Sequence, residues 1–354
     1  MSTGSTPLPS TAHSKHHDHV LDAAPPQRPA DGLKGVLMPV VVVLVIGSIF
    51  VSVYLAAFHA PEPHDLPVAV VGTAQQTRQT ADGLERGIPG GFEVKRYADE
   101  SAARHAVKDR TVYAAYVTGA AGSPELLYAG ANGPSVTSTI SSAFSAIART
   151  SGRTLVEKDV VPAADGDTRS MSVFYAAFGL VLAGFLFGMM TYQMAPRLEF
   201  RWRMTSLASF SVLGGVIVAL LTASLGFGAL PGPFLGIAGL VALMGAAVGS
   251  ATMAIMRLFG RAGLPLASIV LLTLGNSTSG GTLPAAYLPG WLRPLSEILP
   301  VGVGVRAIQG LSHFDNDGLV QGIAILTGWT MLCAGLVFWR DVPARRPTAT
   351  ARHA

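Results

Sequence analysis

Chemistry in a protein starts with side chains that ionise, attack or ligate, and few of those in this chain are spaced to act together. Asp99 with Glu100, and Asp165 with Asp167, are the closest carboxylate pairs. Neighbours on a helix point apart, and the second pair falls in a stretch that reads as linker. Capping and solvation therefore account for both pairs better than acid–base work does. His59, His64 and His105 have no HExxH or comparable spacing around them, and no metal site is expected there. Near the N-terminus, HSKHHDH carries His13, His16, His17 and His19, which can bind a transition metal loosely, although a solvated polar tail is the simpler account. Cys333 is the single cysteine and lies in an apolar run, which excludes a disulfide framework and a CxxC site. No Gly-Lys dipeptide occurs, so the chain lacks the loop and lysine that cradle the phosphates of ATP. Neither catalysis nor a cofactor is expected of it.

The elements that must position any functional group are mostly apolar. Half of the 354 residues are hydrophobic, 13% are charged, and the mean hydropathy is +0.44, which places the chain among integral membrane proteins rather than soluble enzymes. The formal charge of +4 leaves no nucleic-acid footprint. Five stretches, roughly 36–58, 171–194, 207–229, 233–256 and 319–339, are long enough to cross a hydrocarbon core of about 30 Å. A sixth, Leu264 to Gly275, is too short to cross unaided. The apolar core of the first stretch exceeds the 7–15 residues of a signal peptide, so it reads as a retained anchor. Arg28 and Lys34, then Arg197, Arg201 and Arg203, then Arg257 and Arg261, and finally Arg340, Arg345, Arg346 and Arg352 all fall on one side if six segments alternate. The opposite side has only Arg293 and Arg306 as basic groups in residues 275–318. The positive-inside rule then predicts a multi-pass plasma-membrane protein with both termini cytoplasmic.

Between the first two spans, residues 59–170 are expected to form an extracytoplasmic α/β domain. LPVAVVG (66–72), FEVKRYA (92–98), VYAAYVTG (112–119) and LVEKDVV (155–161) read as strands. QQTRQTADGLERGI reads as a helix, and a second helix opens on Asp99 as N-cap. In 135–150, Val136, Ile140, Phe144 and Ile147 repeat at helical spacing and predict one buried face. Residues 1–35 are expected to be a disordered cytoplasmic tail, 36–58 the first transmembrane helix, 171–340 a five-segment bundle and 341–354 a second cytoplasmic tail.

The apolar segments contain no Asp, Glu, Lys, Arg or His, so there is no group to bind and release a coupling ion, and no intramembrane nucleophile with its base. If the protein moves something, the work must come from another polypeptide. Its handle is expected in QMAPRLEFRWRMTS (193–206), where Arg197, Arg201, Trp202 and Arg203 can form a short amphipathic helix; a positive-inside stop with Trp202 at the lipid interface accounts for the same residues. GFLFG (184–188), GAAVG (245–249) and GLVQG (318–322) fit small-xxx-small packing. GNSTSGGTLPAAYLPGWLRPLSEILP (275–300) interrupts the apolar pattern. Backbone that leaves helix at membrane depth must be satisfied by protein or water, which predicts a bend in a protein-lined cleft, with an ordinary exposed loop as the alternative. Tyr287 and Trp291 suit an aromatic belt, and RPLSEILPVGVGVRAIQGL suits a helix lying at the interface.

The strand PVAVV, then Gly280, Gly281 and Pro284, Leu288-Pro289 and Leu299-Pro300 ahead of a last span, resemble membrane subunits of the ABC type-2 export family, in the branch that includes the phage-infection-protein group. The resemblance covers roughly residues 35–340. It implies an α-helical integral membrane protein of six transmembrane segments, with the extracytoplasmic domain inserted between the first and second. It further implies a homo- or heterodimer with a second permease subunit, a separate cytoplasmic ABC ATPase coupled through the 193–206 loop, membrane lipids as surroundings, and export of a lipid, drug, peptide or polymer. Asn276, Gly280, Gly281, Pro284, Pro289 and Pro300, in residues 275–313, would form the outer gate. The competing class is a non-transporting membrane receptor or scaffold acting through its extracytoplasmic domain. No amphipathic elbow helix precedes the first span.

Overall fold

The computed structural model describes residues 29–119 and 122–341; Arg28, Arg345, Arg346, Arg352 and the four tail histidines His13, His16, His17 and His19 lie outside them, as does the Lys34 side chain. The chain divides into two compact units between Leu44 and Val45. This break falls within helix α1, Pro29–Phe58, which starts inside the segment expected to be tail. Proline at a first helical position loses no hydrogen bond there.

The α/β domain follows. Strand β1 (Leu66–Val71) is central, and Val68, Ala69 and Val70 are inaccessible on both of its faces, as a strand sandwiched between helix layers requires. Helix α2 (Ala74–Gly87) opens on a capping box, in which Gln76 N donates to Thr73 Oγ1 at 3.2 Å and Thr73 N donates to Gln76 Oε1 at 2.8 Å. After β2 (Phe92–Tyr97), helix α3 (Glu100–Lys108) is capped by Asp99, whose Oδ1 accepts from Ala102 N at 2.8 Å. Then come β3 (Ala114–Val117), β4 (Glu125–Tyr128), helix α4 (Pro134–Thr150) and β5 (Val156–Asp159). The sheet order is β2-β1-β3-β4-β5, parallel throughout except where β4 runs antiparallel to β3. Val136, Ile140 and Phe144 of α4 are buried on one face of the sheet beside Leu84 of α2, as their spacing predicts. Ala103, Ala106 and Val107 of α3 cover the other face.

The remaining chain is helical: α5 (Ser172–Met194), α6 (Phe200–Thr222), α7 (Phe234–Phe259), a short α8 (Gly263–Ala267) that continues as a π-helix over Ser268–Gly275, α9 (Arg293–Ile298), α10 (Pro300–His313) and α11 (Leu319–Asp341). The chain is mostly helical, with five stretches long and apolar enough to cross a membrane; α7 and the segment through Gly275 count as one of them. Helix α7 is the hub, packed against α5, α6, α10 and α11. Small residues permit the approach. A Cβ on Gly188 of α5 would stand 2.5 Å from Thr252 Cβ, and one on Gly322 of α11 would stand 2.6 Å from Ala307 Cβ of α10. Two of the small-residue motifs thus acquire partners: GFLFG meets α7, and GLVQG meets α10.

Helix α10 corrects an expectation. Its residues Val301, Val303, Val305, Ala307 and Ile308 belong to the bundle core, so it is packed into protein on its apolar face rather than laid on a surface by itself. Pro300 breaks the run at its first turn and separates it from α9.

Candidate functional site

Two turns and one helix bring polar and charged groups to one place between the α/β domain and the helices. The turn from α3 to β3 is tight: Arg110 N donates to Val107 O, Val112 N to Ala106 O, and Thr111 N to Asp109 Oδ1. It holds Arg110 at φ +57°, a left-handed conformation that costs a side-chain-bearing residue about 1–2 kcal/mol and persists only where surroundings hold it. The turn from α10 to α11, Phe314-Asp315-Asn316-Asp317-Gly318, uses Asp, Asn and Gly for its three positive-φ positions. Gly310 is required beneath it, because the carbonyl of Asp317 occupies the place of a Cβ there. On α10, Arg306 and Gln309 sit three residues apart and share a face.

The Asp317 carboxylate receives both arginines. Arg110 donates to Oδ2 through Nε at 2.8 Å and Nη2 at 2.5 Å, while Arg306 donates through Nε to Oδ2 at 3.1 Å and through Nη2 to Oδ1 at 2.9 Å. Arg110 also donates to Gln309 Oε1 at 2.8 Å and lies 4.6 Å over the ring of Phe314. The Arg110 and Asp317 side chains are 8% and 13% exposed, whereas that of Arg306 is 51% exposed. Burial alone would push the Asp317 carboxyl up, but the Arg306 hydrogen bond and the charge and hydrogen bond of Arg110 together hold it below the usual carboxylate range. Beside them, burial raises the Tyr113 phenol and lowers the His313 imidazole.

Apolar plugs complete the junction. Phe314 is buried in the core on the α3 face of the sheet, and Leu283 and Tyr287 are buried in the core on the opposite face. His64 N donates to Ala286 O at 2.8 Å, and Arg293 donates to His64 O at 3.1 Å. Both faces of the sheet therefore grip chain that belongs to the helical half. This overturns the placement of Tyr287 in an aromatic belt, since it is 2% exposed, while Trp291 is 60% exposed. A cavity of about 450 Å³ lies at this junction, bounded by Arg110 and Tyr113 from the domain, Gly280 and Pro284 from the Gly/Pro stretch, and Glu297 and Arg306 from α9 and α10.

The expected gate residues are brought together only in part. Gly280, at φ +74°, and Pro284 line the cavity. Gly281 packs against Phe174 of α5, Pro289 opens the turn to Leu292, and Pro300 starts α10. Asn276 is buried after the π-helix; its Nδ2 donates to Leu272 O at 3.0 Å and its Oδ1 has no partner. The stretch is thus a shaped element inside protein rather than a loose loop. Arg110, Asp317 and Phe314 were missed. The available signal was that Arg293 and Arg306 stand almost alone as basic groups in their region: each now faces a carboxylate, Arg293 3.7 Å from Asp65 and Arg306 beside Asp317.

At the other ends of α6, α7 and α11, the expected handle is also reshaped. Residues 200–206 are the first turns of α6 rather than a separate amphipathic helix. Arg197, Arg201 and Trp202 are exposed, but Arg203 is 1% exposed, with its Nε 3.7 Å from Asp341 of α11. Arg203 donates to Leu198 O at 2.9 Å and Arg257 of α7 to Pro196 O at 2.8 Å, while Arg257 also lies 3.8 Å from Asp341. Two arginines thus pin the α5–α6 loop to three helix ends. Asp167, from the carboxylate pairs, accepts from Met171 N and Ser172 N at the start of α5, the capping role its position suggested. Among the described residues no group of three or more His, Cys, Asp or Glu is placed to hold a metal. Comparison with family models, with curated proteins and with solved structures finds no match.

Proposed function

We propose that this chain is the membrane-spanning permease subunit of an ATP-driven exporter, powered by a separate cytoplasmic ATPase. It has six transmembrane segments in the plasma membrane, both termini inside, the α/β domain outside, and a second permease subunit as partner. The observation that carries this reading is the pinned α5–α6 loop. A handle can pass displacement to helices only if it is fixed to them, and this one is tied by Arg203 and Arg257 to α6, α7 and α11 while Arg197, Arg201 and Trp202 face outward.

The other end supports the same reading. The Gly/Pro element, the α/β domain and the start of α11 are joined by Leu283, Tyr287, Phe314 and the Asp317 carboxylate, so a displacement of the helices moves domain and gate as one body. Substrate enters between subunits from the cytoplasmic leaflet, and the Gly/Pro element controls its exit. A receptor that works through its domain alone gains nothing from so firm an attachment to the helices. Purification of the full chain from its native membranes should bring down a P-loop ATPase, and Arg197→Glu with Arg201→Glu should abolish that recovery. An ATPase that never co-purifies, or one that binds the double variant equally, refutes the proposal.

A further inference from the structure

The junction cavity holds charges that the protein leaves unused. Arg306 gives Nε and Nη2 to Asp317 and makes no hydrogen bond through Nη1 among the described residues. Glu297, at the end of α9, makes no hydrogen bond or ion pair there, is exposed, and lines the same cavity as Arg306. Gln309 spends its carbonyl oxygen on Arg110 and keeps its amide hydrogens. The lining therefore offers spare donors and positive charge together with an unpaired carboxylate.

A simple anion would meet Glu297, Asp317 and Asp109, and a simple cation would meet Arg110 and Arg306, so neither is matched by the lining. A molecule carrying both signs is matched. The volume of about 450 Å³ is within the range of small-ligand sites. Gly318 and Gly322, at the start of α11, also line the cavity, which sets it at the level where a candidate span begins. We propose that the cavity binds a zwitterion: a primary ammonium on Glu297, and a carboxylate or phosphate a few bonds away on the free edge of Arg306. Such a ligand comes from two sources, a soluble amino acid or phosphoethanolamine, or the head of an aminophospholipid. The site goes beyond the transport reading and does not depend on it, since a ligand is held there at equilibrium without an ATPase.

The test uses the purified full chain. In nonionic detergent it is titrated with phosphoethanolamine and with glycine; in phosphatidylcholine nanodiscs it is offered phosphatidylethanolamine or phosphatidylglycerol, and retained lipid is counted by native mass spectrometry. Binding of either ammonium-bearing class, weakened at least about tenfold by Glu297→Gln, supports the site, because a charged hydrogen bond is being lost. Preference for the soluble probes or for the lipid then names the source. Glu297 makes no hydrogen bond or ion pair among the described residues, so this variant should unfold close to the wild-type temperature. Arg306→Lys should also weaken binding, since it keeps charge but loses the fork. No binding of either class, equal binding by the Glu297 variant, or preference for phosphatidylglycerol overturns the proposal.

Discussion

Replacing Asp317 with Ala removes the carboxylate that joins Arg110 to Arg306 and leaves a guanidinium that is 8% exposed without that counter-charge. Removing one partner of a buried pair costs about 3–5 kcal/mol. The Arg306 half contributes little to that figure, because its side chain is half in water and exposed pairs are worth about 0.2–1 kcal/mol. Arg110 keeps its bond to Gln309 and its place over Phe314, so the low end applies, about 3 kcal/mol. That corresponds to a loss on the order of 100-fold in the equilibrium that holds domain and helices together. Amide hydrogen exchange reads this directly. Peptides from the α3–β3 turn and the α10–α11 turn should lose about that factor of protection, while those from α7 should not change. The double variant Asp317→Leu with Arg110→Met should lose less than Asp317→Leu alone, because no charge is then stranded. The pH dependence has a definite sign. A carboxyl held below its ordinary value near 3.8 in the folded chain contributes stability that is fully present above that value and fades as pH falls through the lowered one. Protection should therefore be the same at pH 7 and pH 5, and should drop only in stronger acid. Unchanged exchange in Asp317→Ala, or loss of protection already at pH 5, would refute the clamp.

Two further outcomes follow from the packing. Phe314→Ala empties a site 1% exposed in the core of the α3 face and should cost about 3–5 kcal/mol, seen as exposure of that face to proteolysis while the helical bundle stays intact. Gly188→Val drives a side chain onto Thr252 and the Met253 backbone, and should cost about 1–3 kcal/mol of overpacking; a thermal midpoint equal to wild type would show that α5 and α7 do not meet there.

What the sequence determines here is what depends on neighbours along the chain. Apolar runs of about 20 residues need no partner to be recognised, because bilayer thickness alone selects them. Capping by Asp99, the buried face of α4 and the four strands that were expected are local in the same sense. The strand β4 was not recognised, and its antiparallel pairing follows from register with β3, not from ELLY itself. Tertiary structure decided the junction. Arg110 and Asp317 are 207 residues apart, and nothing in either segment names the other. Periodicity says that a face is apolar and is silent on what covers it, so Phe314 drew no notice and Tyr287 read as an aromatic-belt residue, whereas both are buried against the sheet. The same holds for Arg203: charge count assigns it to a membrane side, but only the meeting of α6, α7 and α11 decides that it is buried against Asp341 while Arg201, two residues earlier, remains in contact with solvent.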